Sequence, residues 1–211
     1  MSSSIFKILK DILNHPDRRS YDFTDLSNLR GVMGGALCPP DLLRECRQVF
    51  DLDLLVAYGC TENSPATFYV DREATVDQKT QTVGCALAHT EAKVVDSSGN
   101  TVERGEVGEI LIKGYTVFDG YWEDKEKTDE VMENGWYKTG DLGVLREDGY
   151  LTINGRSKDL IIRGGENIYP AEVENALAEY PEIMDAHIVG VPGKRMGEGI
   201  VHFYLETNPF S

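Results

Sequence analysis

The stretch LDLLVAYGCTE, residues 52–62, is apolar at every position of Leu52–Ala57 except Asp53 and then breaks at Tyr58-Gly59. A continuous apolar run of this length, bounded by a glycine turn, reads as a strand buried on both faces, as in the parallel sheets of α/β proteins. In such sheets the carboxyl ends of the strands open into the ligand crevice. Tyr58, Gly59, Thr61 and Glu62 therefore stand where ligand-binding side chains are expected.

Upstream, Leu29–Met33 reads as a short strand entering Gly34-Gly35-Ala36, and Pro39-Pro40 opens a helix running to about Phe50. Met1–Leu13 places Ile5, Ile8, Leu9 and Ile12 at helical spacing, with Ser4 as a cap and His15-Pro16-Asp17 as the stop. Asp11 argues against a targeting presequence there, because such peptides avoid acids. Downstream of Glu91 the character changes. Ala92–Val95 and Glu109–Lys113 are short strands, and Leu142–Leu145 and Tyr150–Ile153 flank Glu147-Asp148-Gly149 as a hairpin. Beyond Arg156 come a strand at Leu160–Ile162, a turn at Gly164-Gly165, a helix from Pro170 to about Tyr180 and a strand at Ala186–Val191. That helix carries Val173, Ala176, Leu177 and Tyr180 on one face. The expected organisation is an α/β segment over 1–88, a β-rich segment over 89–155 and an α+β segment over 156–211.

The 211 residues are 41% hydrophobic, which suits a core-forming chain, and no run approaches the ~18 apolar residues of a membrane-spanning helix. Twenty-one Lys and Arg stand against 36 Asp and Glu, a net charge of −15. That balance excludes a broad nucleic-acid surface, which needs a basic footprint. It leaves room for small phosphorylated ligands, since a metal ion and a few placed cations neutralise phosphate locally. Cys38, Cys46, Cys60 and Cys85 form no CxxC pair, and the four histidines lack zinc spacing, so reduced thiols in an intracellular setting are expected.

Four clusters carry chemistry-bearing residues, all assigned to loops that end strands. Gly34-Gly35-Ala36 lets backbone approach a flat ligand closely. Tyr58-Gly59-Cys60-Thr61-Glu62 offers a stacking face, a hydroxyl for a phosphate oxygen and a hard oxygen for Mg²⁺. Tyr137-Lys138-Thr139-Gly140-Asp141 presents a carboxylate able to accept from two ribose hydroxyls. Gly155-Arg156-Ser157-Lys158-Asp159 concentrates cations in an otherwise acidic chain, with Lys158 at the boundary between two patterned regions. Taken singly, each is equally a turn, a capping acid or a solvated basic loop.

In this order and spacing the clusters resemble the adenylate-forming superfamily of acyl-CoA synthetases, luciferases and peptide-synthetase adenylation domains. The matching strings are LRGVMGGALCPPDLLR at 29–44, YGCTE at 58–62, GEILIKG at 108–114, GYW at 120–122, YKTGDL at 137–142 and GRSKDLIIRGGENIYPAEVE at 155–174. The last is typical of fatty acyl-CoA ligases, and the whole looks most like their medium-chain, mitochondrial branch.

The resemblance implies an α/β fold: part of the large AMP-binding domain with its small β-barrel subdomain, then the start of a small α+β domain. It implies ATP or AMP, Mg²⁺ and coenzyme A as ligands and a fatty acid as substrate, with no nucleic-acid partner, and leaves the oligomeric state open. By resemblance Gly34, Gly35 and Ala36 line the adenine site, and Tyr58, beside Gly59, stacks on the base. Thr61 bonds the α-phosphate and Glu62 holds Mg²⁺. Asp141 accepts the ribose hydroxyls with Arg156 assisting, and Lys158 is the hinge of the small domain. The 164–167 turn is expected to face the pantetheine tunnel. The family's phosphate loop, of the type TSGTTGxPK, and its C-terminal adenylation lysine have no counterpart in the 211 residues. The expectation is therefore a truncated AMP-forming acyl-CoA ligase, whose 211 residues by themselves are a non-catalytic nucleotide-binding or regulatory unit or an unstable fragment without activity.

Overall fold

The computed structural model describes residues 5–23, 30–35, 40–178, 180, 182–193 and 196–206. Three β-sheets and five α-helices make up the described fold, a mixed α/β arrangement. Ser4, Ala36 and Pro39 lie outside the described residues.

The first sheet runs in the order β1 (Arg30–Met33), β2 (Asp53–Tyr58), β3 (Phe68–Tyr69), β4 (Cys85–Ala86). Only β1 and β2 are parallel, in the register Arg30↔Asp53 to Met33↔Val56; β3 and β4 continue antiparallel. The sheet is thus mixed, not wholly parallel. The parallel pair is joined by α2 (Pro40–Phe50), which buries Leu42, Leu43, Cys46 and Phe50 at helical spacing.

Helix α1 (Ile5–Leu13) packs differently from the expected face. Leu13 is buried and Leu9 packs beside it against Cys46, Phe50 and Leu52, whereas Ile8 and Ile12 are exposed. Of the expected stripe, Leu9 joins the core, whereas Ile8 and Ile12 line a shallow groove with Tyr21 and Phe23. Helix α3 (Val76–Gln81), which the apolar pattern does not reveal, is set by a capping box: Thr75 accepts from the Gln78 N–H and Gln78 accepts from the Thr75 N–H.

The second sheet comprises β5 (Thr90–Val95), β6 (Val107–Gly114), β7 (Met132–Glu133), β8 (Trp136–Leu145) and β9 (Leu151–Arg156), with α4 (Lys125–Val131) between β6 and β7. β6 pairs along one edge of β8; β7 and β9 share the other. The hairpin expected at residues 147–149 is present, with Gly149 in the left-handed region at φ +84° and the Arg146 N–H bonded to the Tyr150 carbonyl. Ile110, Ile112 and Leu151 are buried here together with Phe68 of β3, so one core joins the first two sheets.

The third sheet has the order β11 (Glu166–Ile168), β10 (Ile161–Arg163), β13 (Gly197–Glu206), β12 (Ile183–Gly193), with α5 (Pro170–Ala178) packed on β12. The expected apolar face of the 170–180 helix is only half realised. Val173 and Leu177 are half-buried, but Ala176 and Tyr180 face solvent. What fastens α5 is polar: Glu174 accepts from the Ile188 N–H at 2.9 Å and Glu172 accepts from the Asn154 amide at 2.9 Å.

Candidate functional site

A cavity of about 740 Å³ opens where the three sheets meet, within the size range of small-molecule sites. Its walls include Gly35, Tyr58, Gly59, Asp141, Arg156 and Lys158, so six of the residues singled out by sequence come together.

Each reaches the wall for a local reason. Tyr58 is the last residue of β2 and pairs with Phe68 in β3, whose ring it meets edge-on at 6.0 Å. Gly34, just before the wall, sits so close to β2 that a Cβ would stand 2.7 Å from the Ala57 carbonyl oxygen. Gly59 is equally constrained, a Cβ there falling 2.5 Å from the Ser64 carbonyl oxygen. Glycine at both positions lets the strand ends close up.

Asp141 is not at the mouth of a strand, as its sequence context suggests, but inside β8. Gly140 takes φ +70° and the β6–β8 register shifts between Glu109 and Leu111, a local irregularity in the ladder beside Asp141. The Thr139 hydroxyl receives the Asp141 N–H at 3.0 Å while donating to the Ile110 carbonyl at 2.8 Å, which locks the irregular turn.

Asp141 is buried, 8% exposed as a residue, and its carboxylate is held from two sides. Tyr58 Oη donates to Oδ2 at 2.7 Å, and Arg156 Nε lies 3.0 Å from Oδ1. Asp141 and Arg156 are register partners across β8 and β9, so backbone pairing alone sets them opposite each other. Burial, the neighbouring carboxylate and the hydrogen bond to it all push the Tyr58 phenol upward from its ordinary value, so Tyr58 stays a donor.

Thr61 and Glu62 do not line this cavity; Cys60 is the last residue of their turn to do so. The chain turns away after Cys60 into a 3₁₀ turn, Thr61–Asn63, whose start is fixed by the Cys60 N–H bonding to Asn63 Oδ1. Thr61 is exposed. Glu62 is half-buried, and its Oε1 accepts from Tyr121 Oη at 2.8 Å. That hydrogen bond holds the Glu62 carboxyl below its usual range, while burial and the same carboxylate push Tyr121 up to about 12.

Lys158 stands exposed on the short 3₁₀ turn Ser157–Asp159 between β9 and β10. The 164–167 turn is exposed as well, with Gly164 and Gly165 both left-handed. Glu174, His187 and Glu198 complete the far wall. Sequence reasoning does not find these three, since α5, β12 and β13 reach the cavity only through the third sheet's packing. Tyr121 is likewise missed, although the GYW string at 120–122 contains it.

A family model described as AMP-binding enzyme matches residues 3–122 of this chain. The chain belongs to the AMP-binding enzyme family. Among its relatives, this AMP-binding enzyme is 47% identical to the medium-chain acyl-CoA ligase ACSF2, mitochondrial, of Rattus norvegicus, over 90% of this chain and 31% of that one. It spans about a third of the length of such relatives. The structure superposes on the amide bond synthetase McbA from Marinactinospora thermotolerans with a TM-score of 0.84 and 32% identity, over 97% of this chain and 41% of the other. It also matches the o-succinylbenzoate CoA synthetase MenE of Bacillus subtilis, in complex with the acyl-adenylate OSB-AMP. That match has a TM-score of 0.78 and 35% identity, over 87% of this chain and 37% of the other.

Proposed function

We propose that this chain carries the adenosine-binding half of the active site of an AMP-forming acyl-CoA ligase acting on medium-chain fatty acids. In the reaction a carboxylate oxygen attacks the α-phosphorus of ATP, pyrophosphate leaves, and the thiol of coenzyme A then displaces AMP from the acyl carbon. The single observation carrying this reading is the buried Asp141 carboxylate on the cavity wall. A carboxylate has about four acceptor sites. Tyr58 and Arg156 use one on each oxygen, leaving one on each for a vicinal diol such as ribose.

The remaining assignments rest on position and on family resemblance. Gly34-Gly35-Ala36 and the Tyr58 ring border the adenine, with Gly59 keeping the approach open. Arg156 steadies the ribose and Lys158 serves as the hinge, joining the 89–155 unit to the 156–211 unit. Thr61 and Glu62 act from the rim, Thr61 toward the α-phosphate and Glu62 toward Mg²⁺. Glu62 fits that ion, because an ionised carboxylate plus substrate phosphates is a common Mg²⁺ environment. Among the described residues no group of three His, Cys, Asp or Glu could hold a metal by itself. Bound there, Mg²⁺ would neutralise phosphate charge as the two anions meet. A mitochondrial setting follows the name of the rat relative.

For the 211 residues alone the reading is nucleotide binding without turnover, because the sequence holds no TSGTTGxPK-type loop. Calorimetric titration of AMP into the chain tests the half-site. ATP–pyrophosphate exchange with octanoate tests turnover and is expected at background. Exchange well above background in the isolated chain rejects the binding-only reading.

A further inference from the structure

We propose that Tyr121 is the positioning residue for the Glu62 carboxylate, holding it at the rim of the nucleotide cavity in one orientation. The proposal rests on the reading of Glu62 as the Mg²⁺ ligand. Its basis is a set of ties between two segments some sixty residues apart. Tyr121 Oη donates to Glu62 Oε1 at 2.8 Å, the Phe118 N–H donates to the Glu62 carbonyl at 2.8 Å, and Ser64 Oγ donates to the Thr116 carbonyl at 2.9 Å. The short turn that bears Glu62 is thus stitched to the loop after β6 by both backbone and side chain.

Tyr121 is itself held rigidly. Its N–H donates to Thr128 Oγ1 at 2.9 Å, and its ring meets Phe118 edge-on at 5.0 Å under Lys127, whose Nζ lies 4.6 Å from the ring centre. Gly120 permits this approach: it sits at φ +142°, and a Cβ there would meet the Thr128 methyl at 2.7 Å. Phe118 in turn stacks edge-on to Tyr137, whose Oη lies 3.6 Å from Cys60 Sγ on the cavity wall. A glutamate loses rotamer freedom on binding an ion, and a fixed phenol removes much of that cost beforehand. One carboxylate oxygen is thereby tied to Tyr121, which limits the orientations the carboxylate can take.

The test is calorimetric titration of ATP into the full 211-residue chain, with Mg²⁺ and with EDTA, for wild type, Glu62→Gln and Tyr121→Phe. AMP serves as a metal-independent control. Tyr121→Phe is expected to cut the Mg²⁺-dependent gain in ATP affinity about fivefold to tenfold, the scale of one ordinary net hydrogen bond, because the phenol orients the carboxylate and does not itself touch the ion. AMP and metal-free ATP affinities should stay within about twofold, which a merely structural role for Tyr121 would not allow. The double variant should lose no more than Glu62→Gln alone. Thr128→Val, which frees the Tyr121 backbone from α4 without touching the phenol, is expected to shift the gain in the same direction and serves if Tyr121→Phe does not fold. A full Mg²⁺ gain in Tyr121→Phe, with Glu62→Gln losing it, overturns the positioning role alone. A full gain in Glu62→Gln overturns the Glu62 assignment and this proposal together.

Discussion

Asp141 and Arg156 are register partners on adjacent antiparallel strands, and their side chains meet at 3.0 Å on the wall of the cavity. Because the ladder itself brings them together, the pair is preorganised before any ligand arrives. A ligand hydroxyl adds to an acceptor that is already aimed, and little ordering cost remains.

Asp141→Ala is expected to weaken AMP binding by tenfold to a hundredfold, in line with ~1.5–3 kcal/mol for a hydrogen bond to a charged group. Calorimetry with AMP and with adenine reads the effect. Adenine, which lacks the ribose, should bind both proteins alike. AMP affinity that ignores the substitution removes the ribose assignment.

Alkaline pH should unfold the chain earlier than its net charge alone predicts. Tyr58 and Tyr121 have folded-state values raised above the ordinary ~10 of a phenol. A raised value means stability that is fully present below pH ~10 and is lost as pH climbs through the folded value, because the unfolded chain gives up its proton first. Urea midpoints measured from pH 8 to 11.5 should therefore fall above pH 10, and Tyr58→Phe should flatten that fall. An unchanged slope in Tyr58→Phe would show that its phenol does not titrate differently on unfolding.

Ile110→Ala should cost about 2–5 kcal/mol of unfolding free energy, the range for truncating a fully buried aliphatic side chain. Ile110 packs in one core with Phe68 and Leu151, which come from two different sheets. Denaturant melts of Ile110→Ala, Phe68→Leu and the double variant should show non-additive losses, since neighbours sharing a cavity couple. Strict additivity would mean that the two sheets do not share this core.

Lys158→Ala should leave the melting midpoint within the range of surface substitutions, about 0.5 kcal/mol, since the side chain is exposed. In a longer family member carrying the same motif, the substitution should slow thioester formation more than adenylation if the hinge reading holds. Equal losses in the two half-reactions would contradict it.

Amide exchange should be slower in β6, β8 and β9 than in β1 and the first half of β2. Among the described residues β3 pairs with β2 only at Ala57 and Tyr58, which leaves Asp53–Leu55 bonded on one side. Uniform protection across residues 30–70 would count against this ranking.

The local pattern made several elements legible. The apolar run at 52–57, the Pro40 helix start and the Glu147-Asp148-Gly149 turn each carry their conformation in a few adjacent residues, and all three form as read. Short-range signals sufficed because steric freedom, capping and periodicity act within one or two turns of chain. The short strands β3 and β4 left no such mark, since a strand of two residues has no period and is defined by its partner. In α1 the four residues Ile8, Leu9, Ile12 and Leu13 are all apolar, and contact with the core of Cys46 and Phe50 favours Leu9 and Leu13 over Ile8 and Ile12.

The sequence by itself determined which residue types were available to grip a nucleotide: Tyr58, Asp141 and Arg156, in a chain too acidic to bind polyanions broadly. Tertiary structure alone decided that these three share one wall while Thr61 and Glu62 turn away from it. That division comes from hydrogen-bond register and from a single bend after Cys60. Both depend on partners tens of residues distant, and no local pattern encodes such partners.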